Sequence, residues 1–399
     1  MRRSLAATIA ATCCFMVISS AQATKPPRKP YVVSYDGAVD DICDALEGAE
    51  VSSRVSHLLA CRLWKLRLKC RRRLRLSKAF ALHLSPFEVD ALSRCVPSLE
   101  FLEDSGEAVS RASSSWALDR INQRALPLDS ILIDSEPEGG FGEIVKVFVL
   151  DTGVRKTHVE FRRQNFGVGI DFVDEDDSPD DCDGHGSHVA STIAQLAYHG
   201  KTIMHPVRVL DCQGNGELST LLEGLEWVGR VASPPAIVSL ALGVKAGVWS
   251  AALERVVRAL TDRGVVVVTA SGNQNVDACT ISPGNVEETI TVAATDRYDR
   301  VYSMANTGPC VDVFAPGVGI LGACGGYRSC DAPTDDAYSI QSGTSMAVSH
   351  AVGVVARVLT LAPTWTPARV KQHVISTATR DVVRGALLPR TPNRLAYVA

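Results

Sequence analysis

Ser342-Gly343-Thr344-Ser345-Met346-Ala347-Val348-Ser349-His350-Ala351-Val352-Gly353-Val354 reads as a tight Gly-Thr-Ser turn running into a buried helix. A serine at that junction has its hydroxyl in the bend. Its backbone N–H has no helical carbonyl to meet, which suits a developing negative charge. The same pattern also describes a serine that only caps a core helix. The two readings separate on whether the chain supplies a histidine and an aspartate in matching places.

Both occur upstream. Glu143-Ile144-Val145-Lys146-Val147-Phe148-Val149-Leu150 is a nearly continuous apolar run, the pattern of a buried parallel strand, and it closes on Asp151-Thr152-Gly153. Open α/β sheets set their sites at the carboxyl ends of strands. In Asp183-Gly184-His185-Gly186-Ser187-His188 the glycines let backbone approach His185, and an Ala/Ser-rich helix follows. His185 and His188 lie three apart, a spacing that can serve a metal, yet no His-Glu-x-x-His pattern accompanies them. The order Asp151, His185, Ser345 fits a nucleophile, its base and the base's orienter. A second buried strand, Gly264–Thr269, ends in Ala270-Ser271-Gly272-Asn273.

With these motifs in this order, the chain from about Trp116 onward resembles a subtilisin-like serine protease of the proteinase K-like branch. The segment Asp296-Arg297-Tyr298-Asp299-Arg300 adds to the likeness. The resemblance implies an α/β fold: a doubly wound, mostly parallel sheet with helices on both faces, preceded by a small α+β (ferredoxin-like) propeptide domain. It implies Asp151, His185 and Ser345 as catalytic residues, with Asn273 and the Ser345 N–H holding the oxyanion. Leu240-Ala241-Leu242-Gly243 and Ala270-Ser271-Gly272 resemble the two segments that pair with an extended peptide. Neither carries a charge, so cleavage after apolar or aromatic residues is expected.

Two further implications follow from the resemblance. Asp312, with the carbonyls of Glu287 and Thr289, matches a structural calcium site, while no cofactor is required for the chemistry. Ser349 departs from the family, which usually has proline directly before the histidine that follows the nucleophile. The position of Ser349 therefore puts substrate fit and nucleophile posture in question.

Length and composition agree with export. The chain has 399 residues, of which 46% are hydrophobic, enough to bury a large core. It opens Met1-Arg2-Arg3, continues with a short apolar stretch and reaches Ala21-Gln22-Ala23, the layout of a secretory signal peptide over 1–23. No later segment reads as a membrane span. Of 12 cysteines, two leave with that signal, four fall in the next region and six in the protease region. Even counts in an oxidising compartment suggest disulfides, and six cysteines allow 15 pairings. The family likeness implies Cys182–Cys212, Cys279–Cys310 and Cys324–Cys330.

Residues 24–112 resemble an inhibitory propeptide and 113–399 the catalytic domain, with self-cleavage expected between Ser110 and Ser115. A strand is expected at 31–35, a helix over 84–92 and a last strand at 99–104; the alternation over 64–71 reads as a strand with one basic face. The propeptide holds 15 basic and 12 acidic side chains and the rest of the mature chain 24 and 32, net +3 against −8. Opposite charge favours docking between them.

The expectation is a secreted endopeptidase made as an autoprocessed zymogen. It acts on polypeptides, carries its own propeptide as inhibitor and folding aid, and is a monomer with no nucleic-acid or membrane partner. The alternative is a self-cleaving, protease-fold binding protein that retains its propeptide and lacks general proteolytic activity.

Overall fold

The computed structural model describes residues 116–129 and 142–398, apart from 175, 245–248 and 331–332, and the backbone of four N-terminal strands. Those strands are β1 (Lys29–Ser34), β2 (Arg72–Leu74), β3 (Ala79–Leu84) and β4 (Glu100–Glu103). They form an antiparallel sheet in the order β2-β3-β1-β4. β1 and β4 coincide with the first and last strands expected there. The signal segment, the basic strand at 64–71, the cleavage junction and Cys43, Cys61, Cys70 and Cys95 lie outside the described residues, as does the helix at 84–92 apart from Leu84.

The large sheet is built on β5 (Val145–Asp151), β8 (Thr202–Arg208), β9 (Ala236–Leu240), β10 (Val265–Ala270), β11 (Ile290–Thr295) and β12 (Val313–Pro316). Its spatial order runs β12-β11-β10-β9-β5-β8, every neighbouring pair parallel. Short strands extend both edges, with β6 (Asn165–Phe166) and β7 (Ile170–Asp171) beside β8. These sequences are rich in Val, Ile and Ala because both faces of a parallel sheet are covered. Side chains alternate between the faces. Val145, Val147 and Val149 of β5 enter one core with Val266 and Val268 of β10; Phe148 and Leu150 enter the other with Val265 and Val267.

The first core is closed by α2 (His185–Leu196) and α5 (Thr344–Leu361), the second by α3 (Leu218–Val231) and α4 (Ala251–Asp262); α1 (Trp116–Ile121) precedes them all. α5 is long and apolar enough to cross a membrane, but it is a buried core helix. Thr366 caps α6 (Pro367–Thr377) by accepting from the Arg369 N–H, as the Thr-Pro start leads one to expect. Strands β1 and β2 of the small sheet lie against α3. Disulfides join Cys182 to Cys212, Cys279 to Cys310 and Cys324 to Cys330.

Candidate active site

From β5 the chain crosses to β8 on one side, whereas from β9 it crosses to β10 on the other. The carboxyl ends of the adjacent strands β5 and β9 therefore flank the switch point where open α/β sheets place their crevice. Asp151 is the last residue of β5, and Ala241 follows the end of β9.

Asp151 is fully buried, and its Oδ1 lies 2.5 Å from His185 Nδ1 at the start of α2. The Thr152 N–H also donates to that oxygen at 2.8 Å. A carboxylate only accepts, so Nδ1 carries the proton and Nε2 keeps the lone pair. Nε2 has no hydrogen-bond partner among the described residues. Burial disfavours a charged ring. The Asp151 charge and hydrogen bond, with Asp183 and Asp181 nearby, outweigh it and raise the His185 pKa above the ordinary value.

Glycine is needed on both sides of His185. A Cβ on Gly186 would run into the Gly153 carbonyl and press on Asp151, and Gly184 sits at φ +110°. His188 points elsewhere: its Nε2 meets the Ile320 carbonyl at 3.1 Å, while His185 faces Asp151. No His/Cys/Asp/Glu group able to hold a metal occurs among the described residues.

Ser345 stands in the first turn of α5, nearly sealed from solvent. Its hydroxyl donates to the Ala241 carbonyl at 2.7 Å rather than to His185. Asn273 Oδ1 accepts from the Thr344 N–H at 2.9 Å and from the Thr344 hydroxyl at 3.1 Å. Its carbonyl is thus spent on the helix start, which leaves the amide N–H groups to donate elsewhere. A cleft of about 580 Å³ is lined by His185, Asn273, Asp183, Leu210, Met304 and Ile340, among others.

The two segments expected to bind a peptide follow adjacent strands, with Leu240 of β9 level with Thr269 of β10. Leu240 and Leu242 are buried in the core toward α3 and α4. Those two positions therefore present backbone, not side chain, to anything bound there. Ala241 and Ala270 are buried in the opposite core, toward α2 and α5, and Gly272 takes a φ of +100°.

Two further residues organise the site. Asn306 is fully buried and donates from Nδ2 to the Ser271 carbonyl at 2.8 Å. Its Oδ1 accepts from the N–H groups of Gln274 and Val276, so it pins the turn that carries Asn273. Asp181 accepts from the Thr152 hydroxyl at 2.9 Å and from the N–H groups of Gly184 and Ser187, tying the end of β5 to the start of α2. Burial pushes its carboxyl up to about 6, against those hydrogen bonds. Nearby, Asp171 and Asp174 each meet Arg208 Nη1 at 2.5 Å.

The three groups expected to hold calcium have a partner within the chain. Glu287 O, Thr289 O and Asp312 do converge, but on the ammonium of Lys371, which lies 2.7 Å from each carbonyl and 2.7 and 2.8 Å from the carboxylate oxygens.

Comparison with known proteins agrees with this architecture. The family model described as "Subtilase family" matches residues 142–392. An extracellular serine proteinase of Thermus sp. (strain Rt41A) is 41% identical over 290 residues, covering 72% of this chain and 67% of that protein. An alkaline serine exoprotease A of Vibrio alginolyticus is 38% identical over 335 residues, 80% of this chain and 58% of the relative. The crystal structure of a cold adapted subtilisin-like serine proteinase matches at TM-score 0.63 and 38% identity, covering 72% of this chain and 99% of that one. By motif, fold and similarity alike, the chain belongs to the subtilase family of subtilisin-like serine proteases.

Proposed function

We propose that the protein is a secreted serine endopeptidase made as a zymogen, with Ser345 as nucleophile, His185 as its base and Asp151 as the group that orients His185. The observation that carries this reading is the Asp151–His185 pair: one ring nitrogen is fixed at 2.5 Å and the other is buried without a partner among the described residues. Rotation about the Cα–Cβ bond of Ser345 releases its hydroxyl from Ala241 and turns it toward a base. Attack on the scissile carbonyl passes the serine proton to His185 Nε2, which returns it to the leaving amine. The imidazolium formed in between is stabilised by Asp151. The Asn273 amide and the Ser345 N–H hold the oxyanion as charge develops.

An extended peptide pairs with the backbone of Ala241–Gly243 and Ala270–Gly272, adding a strand with little demand on sequence. These two segments carry no charge, which favours an apolar or aromatic residue before the cleaved bond. Members of the family need no cofactor for hydrolysis. Export is supported by the signal-like first 23 residues, the three disulfides and the extracellular relative. Residues 24–112 act as inhibitor and folding aid, consistent with the small sheet lying against α3.

That docked sheet also supports a second reading, in which the cleaved propeptide stays bound and only self-cleavage occurs. The full chain and its Ser345→Ala form, expressed in parallel, separate the two. The first reading expects wild type to cut and release the propeptide and to digest denatured casein, with none of these in Ser345→Ala. Self-cleavage without casein digestion would select the second reading. No cleavage in wild type would overturn both.

A further inference from the structure

We propose that this protein has replaced the metal ion of a cation cradle with one of its own side chains, the Lys371 ammonium. Two carbonyls and a carboxylate form an oxygen set suited to a hard cation. An ammonium carries three N–H donors. Lys371 Nζ has Glu287 O, Thr289 O and Asp312 as its three acceptors, all within 2.8 Å. Calcium requires six to eight oxygens at about 2.3–2.6 Å, so a cradle centred on this nitrogen does not fit the ion.

The surroundings are arranged for the pair. Both side chains are mostly buried, and the Thr291 N–H donates to Asp312 Oδ2 at 2.9 Å, fixing the carboxylate. Burial pushes the Asp312 carboxyl up, and the Lys371 charge opposes that. The clamp joins three elements: α6 through Lys371, the turn entering β11 through Glu287 and Thr289, and the entry to β12 through Asp312. These are the amino ends of the strands, opposite the edge that carries Asp151 and Ala241. The clamp therefore secures the packing of α6 on the sheet without touching the cleft.

The test uses the full-length protein with a serine-protease inhibitor present, and measures thermal midpoints in about 10 mM calcium chloride and in EGTA. That concentration exceeds the roughly millimolar affinity of weak calcium sites. The quantity compared is the calcium increment, the midpoint in calcium minus the midpoint in EGTA. Wild type and Asp312→Asn are expected to share the same increment. Lys371→Ala is expected to lose about 5–10 °C in EGTA, because a buried carboxylate is left without its partner. It should also gain a calcium increment that the Lys371→Ala/Asp312→Asn double variant lacks. A wild-type increment that disappears in Asp312→Asn would overturn the proposal, as would a Lys371→Ala protein with no added increment.

Discussion

Ser349 Oγ donates to the carbonyl oxygen of Ser345, 3.0 Å away and one turn earlier in α5. Both residues are buried in an unbroken helix running from Thr344 to Leu361. The serine found where relatives usually have proline thus braces the first turn from behind and leaves the Ser345 hydroxyl alone. Ser349→Ala is expected to cost about 1 kcal/mol of stability, one net hydrogen bond, with kcat changed less than about threefold. Thermal unfolding and casein kinetics check this; a hundredfold loss of kcat would mean that the hydroxyl acts on the nucleophile.

Asn273 is aimed by its own carbonyl, which is anchored on Thr344. Asn273→Ala is expected to lower kcat by about 10²–10³-fold with KM little changed, the signature of a donor that acts in the transition state. Asn306→Ala should lower kcat as well, by letting the Ser271–Asn273 turn relax, and should lower the thermal midpoint more than Asn273→Ala does, because its fully buried side chain gives up three hydrogen bonds to backbone where Asn273 gives up its two to Thr344. Equal midpoints for the two variants would remove the distinction between donor and brace.

The raised pKa of His185 sets the pH dependence. A base acts when neutral, so kcat/KM should climb with pH through a midpoint above the ordinary histidine value of about 6.5. The Asp183 charge contributes to that rise. Asp183→Asn is therefore expected to move the ascending limb to lower pH. A limb that stays in place would exclude Asp183 from the electrostatics of the base.

Acid stability follows from two other histidines. Burial pushes His188 down to about 3 and His350 down to about 4, so both stay neutral in the fold. Unfolded, they protonate near 6.5 and bind protons that the fold refuses. Their contribution is complete above pH 6.5 and is lost as pH falls toward 4 and then 3. Asp181, titrating in the fold at about 6, opposes part of this slope, so variants are compared at each pH. Urea midpoints should fall from pH 7 to pH 4, with a flatter slope in His350→Gln. An unchanged slope would clear His350 of the effect.

What the sequence disclosed, and what it withheld, divides along the distance over which each residue acts. Asp151, His185, Asn273 and Ser345 each terminate a local pattern: an apolar strand, a glycine-flanked turn or a helix start. Apolar runs also disclosed β5 and β10, glycine punctuation the helices beginning at His185 and Thr344, and a Thr-Pro start the helix at Pro367. Asn306 carried no such mark, because its partners lie 30–35 residues away on another turn. Lys371 reaches back 59–84 residues, and in isolation it reads as one more charged residue on an exposed helix face. The Ser345–Ala241 bond, spanning 104 residues, depends on how α5 docks against the end of β9.

The Lys371 clamp also changes how stability responds to surroundings. An ion taken from solution stabilises a fold by mass action, growing with the logarithm of its free concentration and vanishing on dilution or chelation. A tethered ammonium has no such concentration. Its local supply is fixed by four methylenes and a helix, and is the same at any dilution of the enzyme. For the secreted enzyme proposed above, working in fluids it does not control, that part of the fold is zeroth order in calcium.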